Sequence, residues 1–332
     1  MTEKGVFQVD KKVIGVDIGG TNLRFGIVKR SGLILHRLIR PTMAQLGRET
    51  VIKNIIDGIE ELIAVSNIKK KSILGIGLGT PGFIDSKGII TFSPNLPGWQ
   101  NVDLKKIIRS RIKIPVIIEN DANAAAFGER WLGAGRSSQN LLCITLGTGI
   151  GGGIILNNKI WHGDKGMAGE IGHITVNPDG PLCNCGNYGC LEAYSSATGM
   201  INRIKDLAER GRETSLLPKI KSGIELNARE IFLEAKKGDL LALEVIEDAG
   251  KYLGIAISGF ANLLNIKTVI IYGGLASGLG LFANKMKEEI RKRVIPSFSG
   301  DVRVLKAKLK DDAGMIGAAG VVLHSKGLLR FK

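Results

Sequence analysis

Apolar residues recur along this chain with two different periods, and the switch from one to the other predicts its elements. Residues 12–17, 23–28 and 33–39 are short runs dense in Val, Ile, Leu and Phe. The glycine turn Gly19-Gly20 and the turn Lys29-Arg30-Ser31-Gly32 separate them. Runs of that length bounded by turn residues predict three strands of a β-meander. From 49 to 65 the period changes. Val51, Ile52, Ile55, Ile56, Ile59, Leu62 and Ile63 fall at helical spacing, which predicts an amphipathic helix. A strand at 73–79, a helix at 104–112, a strand at 115–118 and an Ala-rich helix at 122–132 complete this half. Then the pattern starts again. A strand at 141–146, a glycine turn over 147–153 and a strand at 154–156 precede helices at 197–211, 227–237 and 240–264. A strand at 268–272 ending in Gly273-Gly274, a helix at 281–293, a strand at 302–305 and a helix at 314–323 close the chain. Two halves built on one plan predict a duplicated α/β unit, with a nucleotide held between two lobes.

Composition narrows the class. With 332 residues, 44% of them hydrophobic and only 9 proline, the chain can build two substantial cores. Glycine or a charge interrupts every apolar run before it reaches a membrane span. The opening MTEKGVFQVDKK has no apolar signal core, so the expected location is cytoplasmic, with no membrane partner. The formal net charge of +15 is spread over helical faces and loops without an aromatic-studded basic stripe. That distribution predicts solvated faces, and an attraction for phosphorylated metabolites rather than nucleic acid.

One stretch carries a distinct chemistry. Residues 169–192, GEIGHITVNPDGPLCNCGNYGCLE, hold Cys183, Cys185 and Cys190, with His173 ten residues ahead of them. Three thiolates and one imidazole form the ligand set of a closed structural zinc site. A disulfide reading would leave one thiol unpaired, and a bridge between Cys183 and Cys185 would be strained. Gly186 and Gly189 let the loop double back so that Cys190 reaches the same metal. Cys143, inside LLCITL, reads as a core residue.

The glycine turns suggest phosphate, because main-chain N–H groups reach phosphate closely only where no side chain intervenes. Asp17 could hold Mg²⁺ directly or through water, with Gly19, Gly20, Thr21, Asn22 and Arg24 around the phosphates. Gly147, Thr148, Gly149 and Gly151 form the second such turn, and the strand-end pair Gly273-Gly274 is grouped with them as nucleotide contacts. Either turn alone could be an ordinary hairpin with spare glycines. Neither is a Walker A loop or a dinucleotide fingerprint. Asp121 has two readings: the N-cap of the helix that follows it, or a carboxylate that accepts a proton from an attacking hydroxyl. Asn120 beside it would hydrogen-bond a polyol. His162 reads as a loop residue at the core edge, and Asp311-Asp312 as capping charge for the last helix.

The segments DIGGTNLRFGIV, PNLPGW, ENDANAAAFGE, LGTGIGGGI and GEIGH…CxCGxxGCLE, in this order, resemble the ROK family of sugar kinases. The resemblance implies an α/β actin-like fold (hexokinase-type, ribonuclease H-like), a duplicated βββαβα unit with two lobes around a cleft. The small lobe would be 1–119, joined by the C-terminal helix 313–332, and the large lobe 120–312. It implies ATP and Mg²⁺, Asp121 as catalytic base, and sugar contacts from Asn95, Asn120, Asp121, Glu170, His173 and Glu192. It also implies Zn²⁺ on His173, Cys183, Cys185 and Cys190, His173 turning its other N–H to a sugar hydroxyl. The expected assembly is a homodimer or higher homo-oligomer.

The family's repressors carry a winged helix ahead of the DIGGT-like motif, and only sixteen residues precede Asp17, so a kinase is expected. Gly79-Thr80-Pro81-Gly82 with PNLPGW looks most like glucokinases, which form glucose 6-phosphate from glucose and ATP. DIGGTNLR also resembles N-acetylmannosamine kinases. A kinase for N-acetylmannosamine or N-acetylglucosamine, and a sugar-sensing protein without catalysis, are the alternatives.

Overall fold

The expected meander forms as β1 (Lys12–Ile18), β2 (Asn22–Lys29) and β3 (Ile34–Pro41), paired antiparallel. These and all later positions come from a computed structural model that describes residues 11–329 and Phe331. Helix α1 (Arg48–Val65) buries Val51, Ile55, Ile59 and Leu62, one stripe at i, i+4 spacing, in the core of the first sheet. Each such fully buried aliphatic side chain contributes ~1.5–3 kcal/mol. β4 (Ile73–Thr80) then pairs parallel to β1.

Three very short strands come next, β5 (Phe83–Ile84), β6 (Ile90–Phe92) and β7 (Gln100–Val102). They form a separate antiparallel sheet that the apolar pattern did not predict, because two or three residues carry no readable alternation. Buried Leu96 and Trp99 anchor the loop between the last two. Helix α2 (Leu104–Ile112) starts at Asp103, whose carboxylate accepts from the Lys106 N–H at 2.9 Å. β8 (Val116–Asn120) follows and runs directly into α3 (Asp121–Trp131). The first sheet has the order β3-β2-β1-β4-β8, with β4 parallel to both neighbours.

The second sheet repeats that plan. β9 (Leu141–Leu146), β10 (Ile150–Leu156) and β11 (Lys159–Ile160) precede a long helical excursion. It comprises α4 (Glu192–Ser195), α5 (Ala197–Glu209), α6 (Leu217–Lys221), α7 (Ala228–Lys237) and α8 (Leu240–Leu264). β12 (Thr268–Tyr272), α9 (Leu279–Arg293), β13 (Arg303–Lys306) and α10 (Ala313–Ser325) finish the chain. The order is β11-β10-β9-β12-β13, with β12 parallel to β9 and β13. Strand for strand this is the first sheet again, so the duplication read from the sequence is a duplication of topology.

By their internal contacts the residues fall into two units. The first holds Met1–Gln139, Gly153–Ala168 and Lys308–Lys332, the second Asn140–Gly152 and Gly169–Ala307. Helix α3 falls in the first unit. The cause is small residues: α3 and α10 lie so close that a Cβ on Gly317 would overlap the Ala124 carbonyl. Glu129, fully buried in α3, accepts from the N–H groups of Ala134, Lys308 and Leu309, and so fixes the point where the chain re-enters this unit.

Two smaller expectations change. Gly151, Gly152 and Gly153 belong to β10, not to the turn, which spans only Gly147–Gly149. Glycine is required at 153 by packing, since a Cβ there would stand 2.5 Å from the Ala126 methyl. Asp311 and Asp312 give α10 no side-chain cap; they face arginines instead, with Arg37 to Asp312 at 2.7 Å and Arg24 to Asp311 at 3.9 Å.

Candidate active site and metal centre

In the first unit, three parallel strand ends bring two carboxylates together. The register aligns Asp17 of β1 with Gly79 of β4, and Gly79 with Glu119 of β8. Asp121 is two residues beyond Glu119, as the first residue of α3. Gly79 leaves the space between them open: a Cβ there would be 3.7 Å from the Asp121 Cα and 3.9 Å from Asp17 Oδ1. The first turn of α10 closes the other side, where a Cβ on Gly314 would stand 2.6 Å from Asp17 Oδ1. Burial pushes the Asp17 carboxyl up to about 7, and the nearby Asp121 adds to the rise. Burial raises Asp121 as well, opposed by the Ala122 N–H that it accepts at 2.8 Å. Two buried carboxylates of raised proton affinity, side by side, are a ready seat for a divalent cation or a proton.

The cap question raised by the sequence has a definite answer. Asn120, not Asp121, is the N-cap of α3: its Oδ1 accepts from the N–H groups of Ala122 at 2.9 Å and Asn123 at 3.1 Å. Its Nδ2 donates to the Gly82 carbonyl, which leaves one amide N–H for a ligand. Asp121 is thereby spared the N-cap position, its carboxylate accepting at Oδ1 from the adjacent Ala122 N–H. Asn95 is exposed on the β6–β7 loop of the same unit. In the turn after β1, Gly19 N–H is taken by the Asn22 carbonyl, while Gly20 and Thr21 are exposed.

The second glycine turn is more committed than the sequence suggested. Gly147 N–H donates to the Gly149 carbonyl, and Gly151 N–H to Thr145 Oγ1 at 3.0 Å. Ile150 N–H donates to Glu192 Oε2 at 2.7 Å. The N–H groups of Thr148 and Gly149 are not taken by any main-chain acceptor among the described residues, and the Thr148 hydroxyl stands beside them. Gly273, in the left-handed region at φ 102°, ends β12 against the Leu146 carbonyl. Glu192 is the surprise: assigned to sugar by resemblance, it bonds the turn assigned to phosphate. A Cβ on Gly149 would stand 2.5 Å from its Oε2.

This changes what two glycine substitutions should do. Gly20→Val enters open space, so it should raise the KM for ATP several-fold with unchanged melting temperature and little change for the sugar. Gly149→Val displaces Glu192 and should raise both KM values. Steady-state kinetics with each substrate varied in turn separates the two; a Gly149→Val enzyme altered only toward ATP would contradict the Glu192 contact.

The cysteine loop converges as expected. The ligand atoms of His173, Cys183, Cys185 and Cys190 all lie within 4.8 Å of one another. His173 Nδ1 is 3.7 Å from Cys183 Sγ, and Cys185 Sγ is 3.6 Å from Cys190 Sγ. Bonds of ~2.3 Å at tetrahedral angles put two zinc-bound sulfurs ~3.8 Å apart, so the four donors fit that metal. All the cysteines are free thiols. Burial pushes the Cys190 thiol up to about 12 and raises Cys183, while the Asn187 N–H lowers Cys185. Ionising all three together therefore calls for a cation in their midst. Gly186 and Gly189 both take positive φ, 91° and 66°, as the doubling back of the loop requires. With Nδ1 turned to the thiols, His173 Nε2 is 4.0 Å from Glu170 Oε2 and can donate outward. Cys143 is fully buried in β9.

His162, read as a loop residue at the core edge, has its Nε2 2.8 Å from Glu119 Oε2. Nothing local in the sequence reveals a partner 43 residues away.

Comparison with known proteins agrees with this architecture. Residues 13–325 match the ROK family. The chain is 40% identical over 316 residues to a glucokinase of Halalkalibacterium halodurans, covering 94% of this chain and 95% of that one. It is 33% identical over 323 residues to a xylose repressor of Caldicellulosiruptor bescii, covering 96% of this chain and 80% of the repressor. Among solved structures, an ROK hexokinase from Thermus thermophilus superposes with TM-score 0.80 at 30% identity, over 95% and 99% of the two chains. An ROK glucokinase from Streptomyces griseus, in complex with glucose and AMPPNP, gives 0.73 at 34% identity, over 93% and 98%. The fold is thus the actin-like fold of those kinases, and the chain belongs to the ROK family.

Proposed function

We propose that this protein phosphorylates glucose at its 6-hydroxyl with ATP. The protein is an ATP-dependent sugar kinase, and the glucokinase relatives support glucose as the acceptor. The observation that carries the mechanism is that Asn120, not Asp121, caps α3, so that the Asp121 carboxylate, at the strand-end corner with Gly79 and Asp17, is not spent as the cap. The transition state of phosphoryl transfer is loose, so Asp121 aligns the hydroxyl and takes its proton late. Asp17 would hold Mg²⁺, directly or through water, and the ion would supply countercharge to the phosphates. Thr148, Gly149 and the exposed turn Gly20-Thr21 offer donors to them. Glu170, His173 and Glu192 hold the sugar hydroxyls, Asn95 and Asn120 adding further contacts. His173 and the three cysteines would hold zinc, and with Nδ1 on the metal the His173 imidazole would be fixed so that Nε2–H can donate to the sugar.

A coupled assay for ADP release across glucose, other hexoses, N-acetylglucosamine and N-acetylmannosamine, ranked by kcat/KM, tests the assignment. Glucose is expected to rank first. An acetylhexosamine ranking first would make this a hexosamine kinase. No ADP release with any sugar would favour the alternative of a sugar-sensing protein without catalysis.

A further inference from the structure

The functional reading leaves one buried carboxylate without a task. Glu119 ends β8 just ahead of Asn120 and Asp121, and only 7% of it is exposed. Three donors surround it. Oε1 accepts from the Asn120 N–H at 3.0 Å and from Asn123 Nδ2 at 3.0 Å, and Oε2 meets His162 Nε2 at 2.8 Å. The first two donors belong to the β8–α3 corner itself; only the third comes from elsewhere. His162 stands on the loop after β11, its side chain 49% exposed. That loop is pinned where the Ala168 N–H donates to the His162 carbonyl, and by Gly166 packed against the Ile84 carbonyl. A buried carboxylate two residues from Asp121 would add a negative charge to a corner that already holds Asp17 and Asp121. His162 Nε2 stands opposite that carboxylate, and the hydrogen bond to Glu119 raises the proton affinity of His162.

We propose that His162 is a positioning residue for phosphoryl transfer. Through Glu119 it fixes the main chain of Asn120 and the first turn of α3, and hence the direction of the Asp121 carboxylate. The proposal rests on Asp121 being the base. Its mechanical logic is a chain of single contacts: His162 to Glu119, Glu119 to the Asn120 N–H and the Asn123 amide, and Asn120 to the α3 cap that frees Asp121. Losing the first link leaves Glu119 charged, buried and one donor short, and the corner relaxes to hydrate it. Small misplacement of a reacting group costs rate more than it costs binding.

The test uses His162→Ala, His162→Gln, Asp121→Asn and the double variant His162→Ala/Asp121→Asn in the full-length enzyme. His162→Ala should lower kcat by ~10-fold or more while both KM values stay within about twofold. His162→Gln, whose amide can still donate to Glu119 Oε2, should recover most of that loss. In the Asp121→Asn background His162→Ala should cost little further, because it acts through the missing carboxylate. Melting temperatures separate these outcomes from simple unfolding. A His162→Ala enzyme with normal kcat, or one that loses stability without losing kcat, overturns the proposal. Equal losses in both backgrounds overturn it as well. If Asp121→Asn alone keeps full turnover, the base assignment falls and takes this inference with it. If Asp121→Asn is inactive and His162→Ala is not, only this inference falls.

Discussion

Asp121→Asn should keep its fold and its sugar affinity and lose kcat by ~10²- to 10⁴-fold, the range expected for removal of a general base. The fold is safe because the α3 cap belongs to Asn120, and the new amide oxygen can still accept the Ala122 N–H that Asp121 Oδ1 accepts now. What disappears is the second oxygen as a proton acceptor. The pH profile carries an independent signature. Burial raises the carboxyl of Asp121, and Asp17 is pushed up to about 7. A raised carboxyl is protonated over a wider acidic range, so kcat/KM of the native enzyme, which reports the groups of the free protein, should fall as pH drops from 8 towards 6. The residual rate of Asp121→Asn should lose the Asp121 part of that fall. Removing one of two coupled carboxylates should also let Asp17 ionise at lower pH. Sugar titrations followed by intrinsic fluorescence and single-turnover assays across pH 5.5–8.5 would read both effects. Near-normal turnover in this variant would reduce Asp121 to a helix-start residue.

Much of this was legible in the residues, and the exceptions share a cause. Strands such as β1 and β4, α1 with its i, i+4 stripe and the convergence of the cysteine loop are local patterns, and each formed close to where it was read. The two- and three-residue strands of the small sheet were invisible because periodicity needs length. Gly151–Gly153 were misread as a turn because glycine serves both turns and close packing. Here Gly153 admits α3 against β10, a fact stored in Ala126 and not in the glycine run. The pairs that organise the site are long-range. Glu192 to Ile150 spans 42 residues and His162 to Glu119 spans 43, so neither could be read from neighbours in the sequence. The choice between Asn120 and Asp121 as cap was undecidable for a different reason. Both residue types cap equally well, and only the backbone bend decides which one faces the free N–H groups.

Cys185→Ala should lower zinc content well below one per chain, reduce the melting temperature by ~5 °C or more, and raise the KM for glucose strongly. The loop it belongs to has little else to hold it. Leu182 and Tyr188 are 62% and 60% exposed, so apolar burial contributes little. The remaining ties are turn bonds such as Cys183 N–H to the Asn187 carbonyl and Gly189 N–H to the Pro181 carbonyl. Bonds of that kind contribute only ~1 kcal/mol each, far less than a structural zinc site. Without the metal His173 Nδ1 is released, and with it the direction of Nε2 towards Glu170. Glu192 should fare better, because the Ile150 N–H anchors it independently at 2.7 Å. The KM for ATP should therefore change less than the KM for glucose. That asymmetry distinguishes a metal that orients sugar contacts from one that merely holds the domain together. Equal rises in both KM values would assign zinc a general stabilising role. Native protein purified without chelators and carrying no zinc, or a Cys185→Ala variant with unchanged glucose KM, would remove the metal from sugar recognition altogether.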